Sequence, residues 1–377
     1  MGLTEYKLGD LIELCGATND SLQYGIEDVK GISFQKIFIE TKADMTGVSL
    51  RPYYLVQPDD FAYITVTSCN GEKLTIAHNT TVDTYIISSS YVVFRVKETN
   101  LLLSDFLFIY FNRPEFDRYS RFHSWGSARE TFCWEDMCDI DIALPPIEIQ
   151  QKYVSVYRAM LENQQSYERG LEDLKLVCDA YIEDLRRKIP CEPIGPYLEP
   201  YDVRNGPDGT KNVMGVSTSK EFREATSKVN RNELANYKVV KPRQISFVQT
   251  THNEKVFAYA LNNTNEDIVV TSVNEVFSVN EDKLLPEYLS MFFNRTEFDR
   301  YARFHSWGSA RETFTWDDLI KVKISIADIT VQRSIVDIYT VYKERKEINE
   351  KLKSQIKDIC PILIKGANEE GKKTEDV

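Results

Sequence analysis

From Tyr153 onward, heptad positions recur in steps of four and three: Tyr153, Tyr157, Met160, Gln164, Tyr167, Leu171, Leu174, Cys178, Tyr181 and Leu185. This is a heptad seam with one polar member, Gln164. Pro146 stands where a helix would start and Pro190 where it must stop. The spacing therefore predicts a helix over 147–189, about 64 Å long at about 1.5 Å per residue. Gly170 is its weak point, costing about 1 kcal/mol relative to alanine. A second seam runs through Ile335, Ile338, Tyr342, Arg345, Asn349, Leu352, Ile356 and Ile359. Pro361 is expected to end it, giving a helix over 329–364 and a polar tail over 365–377. Polar seam residues such as Arg345 and Asn349 lower stability but can fix register or partner. The two helices most simply pair with each other, antiparallel; the alternative is that each packs onto its own domain. Ahead of each helix the period changes to two, through Ile140, Ile142, Leu144 and through Ile320, Val322, Ile324, Ile326. That alternation predicts a half-buried strand.

The two strand-and-helix patterns belong to a long internal repeat. Phe111–Met137 (FNRPEFDRYSRFHSWGSARETFCWEDM) and Phe293–Leu319 (FNRTEFDRYARFHSWGSARETFTWDDL) differ at only five positions, 114/296, 120/302, 133/315, 135/317 and 137/319. The offset is 182 residues at this block and drifts to 184 upstream, where Lys30–Ser33 matches Met214–Ser217 and Tyr53–Pro58 matches Tyr237–Pro242. Asn79-Thr80-Thr81 matches Asn263-Thr264 with a small gap. A period this long means tandem domains, not a solenoid. The expected organisation is a mixed α/β (α+β) domain over 1–146, a long helix over 147–189, a second such domain over 190–328, and a second long helix.

Composition narrows the chemistry. The chain of 377 residues carries a net charge of −12. The first domain is net −9, the first helix −1, the second domain −3 and the remainder +1. No part is basic, so any nucleic-acid binding requires a focused face or partner subunits that supply phosphate contacts. No apolar run approaches the ~18–20 residues that span a bilayer, and no signal peptide is apparent, so no membrane partner is expected. Seven scattered cysteines without a CxxC pair point to a reducing cytoplasm and against zinc or a disulfide framework. Phosphate loops, dinucleotide fingerprints, the G-x-S-x-G elbow and H-E-x-x-H are all absent. The pattern reads as a binding protein with no cofactor or metal of its own.

The repeated block has two readings. Arg118, Arg121 and Arg129, mixed with Tyr119, Phe122, His123 and Trp125, and in the second copy Arg300, Arg303 and Arg311 with Tyr301, Phe304, His305 and Trp307, offer forked donors for phosphates or guanine edges among aromatic rings. Ser124, Ser127, Ser306 and Ser309 add neutral donors for phosphate oxygens. Structurally, the same arginines could pair with Glu115, Asp117 and Glu130. Ser127–Glu130 and Ser309–Glu312 fit capping boxes. Phe116, Tyr119 and Phe122 suggest a buried stripe, and Phe132, Trp134 and Met137 suggest core. A block shared by both copies cannot carry a difference in sequence reading, so discrimination is expected in the divergent parts. Candidates there are Gln35, Lys36, Lys42, Arg51, Thr67, Ser68, Asn70, Lys73, His78 and Asn79 in the first copy. In the second they are Lys211, Lys220, Arg223, Lys228, Arg231, Gln249, Thr250, Thr251, His252 and Lys255. These are the residue types that read base edges, though each can equally be solvated surface.

The order domain, long helix, domain, long helix, with the GSARETF-x-W-[ED]-D-[ML] block before each helix and the helix entry LPPIEIQQ at 144–151, resembles the specificity subunit of type I restriction–modification systems. The second helix entry, IADITVQR at 326–333, is weaker because its prolines are lost. The resemblance spans the chain to about Ala367. It implies two target recognition domains, each reading one half of a split site in double-stranded DNA, and an antiparallel coiled coil that sets the gap. It also implies two modification subunits that bring S-adenosylmethionine and methylate adenine. A motor-nuclease subunit using ATP and magnesium can join them. Two other readings stay open on the residues alone: a free-standing DNA-binding regulator and a coiled-coil interaction scaffold.

Overall fold

The computed structural model describes residues 2–66, 73–126, 130–207, 209–225, 234–250, 256–308 and 312–373. The chain forms two compact units, 1–167 with 348–377, and 168–347. The division falls inside both long helices, so each unit takes in half of each.

Each unit is built on a four-stranded antiparallel sheet. In the first the strand order is Ile12–Leu14, Tyr91–Val96, Phe61–Ile64, Ile76–His78. In the second it is Leu198–Pro200, Asn274–Val279, Ile245–Val248, Tyr259–Leu261. The smaller ladders repeat as well. Hairpin Lys30–Ile32 with Phe38–Glu40 corresponds to Met214–Val216 with Phe222–Glu224. The strand before each long helix, Asp141–Leu144 or Lys323–Ser325, pairs with the strand that opens its unit. Ile142 and Leu144 face inward there, as the period of two requires.

Short helices follow each sheet. In the first unit these are α1 (Ser104–Phe111), α2 (Pro114–Phe122) and α3 (Trp134–Cys138), before the long α4 (Ile147–Lys188). In the second they are α5 (Pro286–Phe293), α6 (Thr296–Phe304) and α7 (Trp316–Leu319), before α8 (Ile329–Lys373). Phe61, Phe94, Phe106, Phe111, Phe116 and Phe132 form the heart of the first core.

The long helices pack antiparallel within each unit. In the first, Lys152 Nζ donates to Glu370 Oε2 at 2.8 Å, and Gln164 Nε2 donates to Asn349 Oδ1 at 2.9 Å. Two polar seam members thus satisfy each other. In the second, a Cβ at Gly170 would stand 2.9 Å from Arg345 Nη1, so glycine leaves room for the crossing arginine. Cys178, Ile182 and Leu185 share a core with Ile335 and Tyr339. The buried seam position is Ile182; its neighbour Tyr181, expected on the seam, is exposed.

One boundary differs from expectation. Pro361 does not end the second helix: α8 runs through it to Lys373. The segment beyond 364 is therefore helix, not tail, and Leu363, Ile364 and Ala367 are buried in the first core. Both helix entries are pinned by a fully buried glutamine. Gln150 accepts from Leu103 N and donates to the carbonyls of Leu101 and Pro145 at 2.7–3.1 Å. Gln332 does the same with Leu285, Lys283 and Ala327 at 2.7–2.9 Å. The second entry keeps this device although it has lost the prolines.

Candidate nucleic-acid interface

The repeated block folds as a helix and a tight turn-back. After α2, Ser124 Oγ donates to Ser120 O at 2.6 Å; after α6, Ser306 Oγ donates to Ala302 O at 2.7 Å. These serine hydroxyls close helix ends. The chain then turns through Gly126 and Gly308, both at φ +141°, where a side chain would be strained. Trp125 and Thr131 exchange backbone hydrogen bonds at 3.0–3.1 Å, and Trp307 and Thr313 do so at 3.0–3.2 Å. Arg121 reaches across to Glu130, and Arg303 to Glu312, in close ion pairs.

The capping boxes lie elsewhere than the sequence suggested. Ser127 and Ser309 are outside the described residues, and Glu130 and Glu312 sit in extended chain. The boxes that start α3 and α7 are Cys133 with Asp136 and Thr315 with Asp318.

The turn-back also pairs with the central sheet. Thr131 bridges Val66, and Phe132 N donates to Thr65 O at 2.8 Å; Thr313 bridges Thr250, and Phe314 N donates to Gln249 O at 2.8 Å. The divergent segments 67–72 and 251–255 follow directly in the chain. The identical block and the divergent segment of each unit are therefore joined at one sheet end.

A second tie fixes where the divergent segment returns. Asp117 Oδ1 accepts from Leu74 N at 3.3 Å and from Lys36 Nζ at 2.7 Å. Asp299 accepts from Phe257 N at 3.0 Å and from Lys220 Nζ at 2.9 Å. Lys36 and Lys220 also donate to the carbonyls of Phe111 and Phe293, each at 2.6 Å. Burial holds both ammonium groups below the usual lysine range, opposed by the adjacent aspartate. Neither lysine, expected among the base readers, faces solvent; both are internal clamps.

Other candidates separate similarly. Lys42, Arg51 and Arg223 are exposed, as are Gln35 and Lys211. Lys73 is half-buried, and the neighbouring Lys357 ammonium lowers its affinity for a proton. Gln249 donates to Glu275 at 2.6 Å. His78 is buried between Asp59 and Asp105 at 3.4 and 3.5 Å and stacks on Phe61. Asn79 is buried and holds a turn through Val56 O and Asp83 O. Neither can read a base. The hydrogen bonds of Asn79 are reproduced by Asn262, not Asn263, so the repeats align one residue differently there. Thr67, Ser68, Asn70, Ser127, Arg129, Lys228, Arg231, Thr251, His252, Lys255, Ser309 and Arg311 lie outside the described residues.

The structure separates the aromatic side chains that stand among these arginines. Phe132 and Met137 are core, but Phe122 is 75% exposed and Trp125 67%; Phe304 is 80% exposed and Trp307 73%. The signal was present: three residues advance a helix by about 300°, so a strict three-spacing falls back about 60° per step. Phe122 therefore stands well off the face of Phe116. Each unit presents a Phe–Trp pair beside Arg118 or Arg300, which are also exposed and, among the described residues, pair with Glu115 or Glu297 one turn away. Among the described residues no group of three metal-ligating side chains is gathered, and no helix is long and apolar enough to cross a membrane.

At the sequence level no family model and no curated protein matches the chain. Solved structures do. The type I restriction–modification S subunit from M. genitalium superposes with a TM-score of 0.62 at 10% identity, over 97% of this chain and 96% of that one. The S subunit from Thermoanaerobacter tengcongensis aligns over 97% of this chain at 14% identity with a TM-score of 0.37. The chain has the two-domain, coiled-coil fold of a type I S subunit.

Proposed function

We propose that this chain is the DNA-recognition subunit of a type I restriction–modification complex. Each unit reads one half of a bipartite site in double-stranded DNA, and the antiparallel helices set the gap and dock two modification subunits. Those subunits hold S-adenosylmethionine and methylate adenine. A motor-nuclease subunit with ATP and magnesium joins them for cleavage, and the complex works in the cytoplasm. This chain supplies recognition and no catalytic group.

One observation carries the reading. Two copies of one fold keep a near-identical block hydrogen-bonded to a sheet end from which a different segment departs, 67–72 in one unit and 251–255 in the other. Shared frames with different reading segments are what two unlike half-sites require. The likeness to the M. genitalium S subunit supports it.

The test is coexpression with an adenine modification subunit, followed by sequencing of methylated bases in the host DNA. The expected motif is two short sequences separated by unread positions. Exchanging residues 1–110 for those of a related subunit should change one half only. A continuous motif, or a swap that alters both halves, overturns the reading.

A further inference from the structure

A protein of net charge −12 that grips DNA cannot draw its affinity from phosphate attraction over its whole surface. The contact it makes regardless of sequence must rest partly on something other than charge. The repeated block offers that alternative. Its buried aromatic side chains, Phe116 and Phe132, explain themselves as core. Phe122 and Trp125 do not, because two large rings three residues apart at 75% and 67% exposure gain nothing from folding. The second unit repeats them as Phe304 and Trp307, in backbone held the same way by Gly308 and by the Trp307–Thr313 pairing.

We propose that Phe122 with Trp125, and Phe304 with Trp307, are the sequence-independent DNA contact of each unit, packing against the deoxyribose walls of a groove and wedging at base steps. This rests on the DNA-recognition reading and deepens it. Two observations choose DNA over a protein partner, and a third is compatible with it. The rings stand on the turn-back bonded to Val66 and Thr250, the residues that the divergent segments follow directly in the chain. Exposed Arg118 and Arg300 lie one turn away on the same helices and suit a polyanion. The pairs are identical in two units whose reading segments differ, so their target must look alike at two unlike half-sites. Deoxyribose walls look alike at every sequence, and a wedge at a base step makes no base-edge hydrogen bond, so such a contact tolerates sequence.

The experiment uses the complex with its modification subunits. Phe122→Ala/Trp125→Ala, Phe304→Ala/Trp307→Ala and the fourfold variant are compared with the parent by dissociation constant on cognate, half-site-altered and unrelated duplexes, across a salt series. Each double variant should weaken binding roughly tenfold on all duplexes alike, a change of about 1.4 kcal/mol. The slope of affinity against salt should not change, because no phosphate contact is removed. The methylation motif should stay the same, and Trp125→Phe should recover most of the loss. Since the rings are exposed, melting temperatures should match the parent.

Unchanged affinity overturns the proposal. So does a loss confined to one duplex, which would make the rings base readers, or failure of the variants to bind modification subunits, which would make the patch a protein dock. If the parent complex itself recognises no bipartite site, the functional reading fails before this one is tested.

Discussion

Lys36 and Lys220 adopt backbone that lysine normally avoids, with φ of +61° and +65°. Their ammonium groups compensate by closing an otherwise buried carboxylate and a helix-end carbonyl. Removing the charge should therefore cost far more than a surface lysine would. Lys36→Met leaves Asp117, whose side chain is 8% exposed, with the Leu74 amide as its remaining hydrogen-bond donor among the described residues. The expected destabilisation is about 3–5 kcal/mol, seen as a lower urea midpoint with an unchanged slope. Lys36→Met/Asp117→Leu should recover part of it. A loss below about 1 kcal/mol would mean the clamp is solvent-screened like a surface pair. The sequence could not separate Lys36 from Lys42, because burial is decided by an aspartate some 80 residues away. It did hold one hint: Lys36 and Lys220 share a repeat position while their neighbours Gln35 and Ser219 differ. Phe122 was legible in principle, through angular drift; Trp125 was not, since a turn has no periodicity to betray exposure.

At the scale of elements, heptad spacing found both long helices, and proline rules misplaced one end. Interior proline costs about 3 kcal/mol, yet Leu363, Ile364 and Ala367 beyond Pro361 are buried. Buried large aliphatic side chains return about 1.5–3 kcal/mol each, so packing outweighs the break. Single-residue rules cannot see that sum. Polar seam residues were readable, but not their pairing. Gln164→Leu should leave the buried Asn349 amide without its donor and cost about 1–3 kcal/mol by chemical denaturation. Gln164→Leu/Asn349→Leu should equal or exceed the parent in stability, because an apolar pair replaces a satisfied polar one. A double variant as weak as the single would show that the pair contributes more than register. The glutamines at the helix entries give a parallel test. Gln150→Ala removes three hydrogen bonds, one of them to the buried Pro145 carbonyl, and should cost about 2–4 kcal/mol; Gln332→Ala should cost a similar amount in the second unit. Melting curves that left either variant unchanged would mean water replaces the amide.

For the whole molecule, the repeat was legible at once and its consequence only in part. Near-identity announced two like domains; that the identical part joins a sheet end to a divergent segment needed the backbone pairings. The divergent segments 67–72 and 251–255 lie among the residues not described, so the proposed reading is tested through length and exchange. If the paired helices act as the ruler of a bipartite site, their length and the gap must move together. Four residues inserted after Gly170, matched by four before Arg345, add about 6 Å to both helices. DNA rises about 3.4 Å per base pair, so the gap between half-sites should grow by one or two base pairs. The two half-sites themselves should keep their bases, because neither sheet end is altered. Methylated-base sequencing of a host expressing the lengthened complex reads both quantities together. A gap that stays fixed while methylation persists would detach spacing from the helices and place it in the modification subunits.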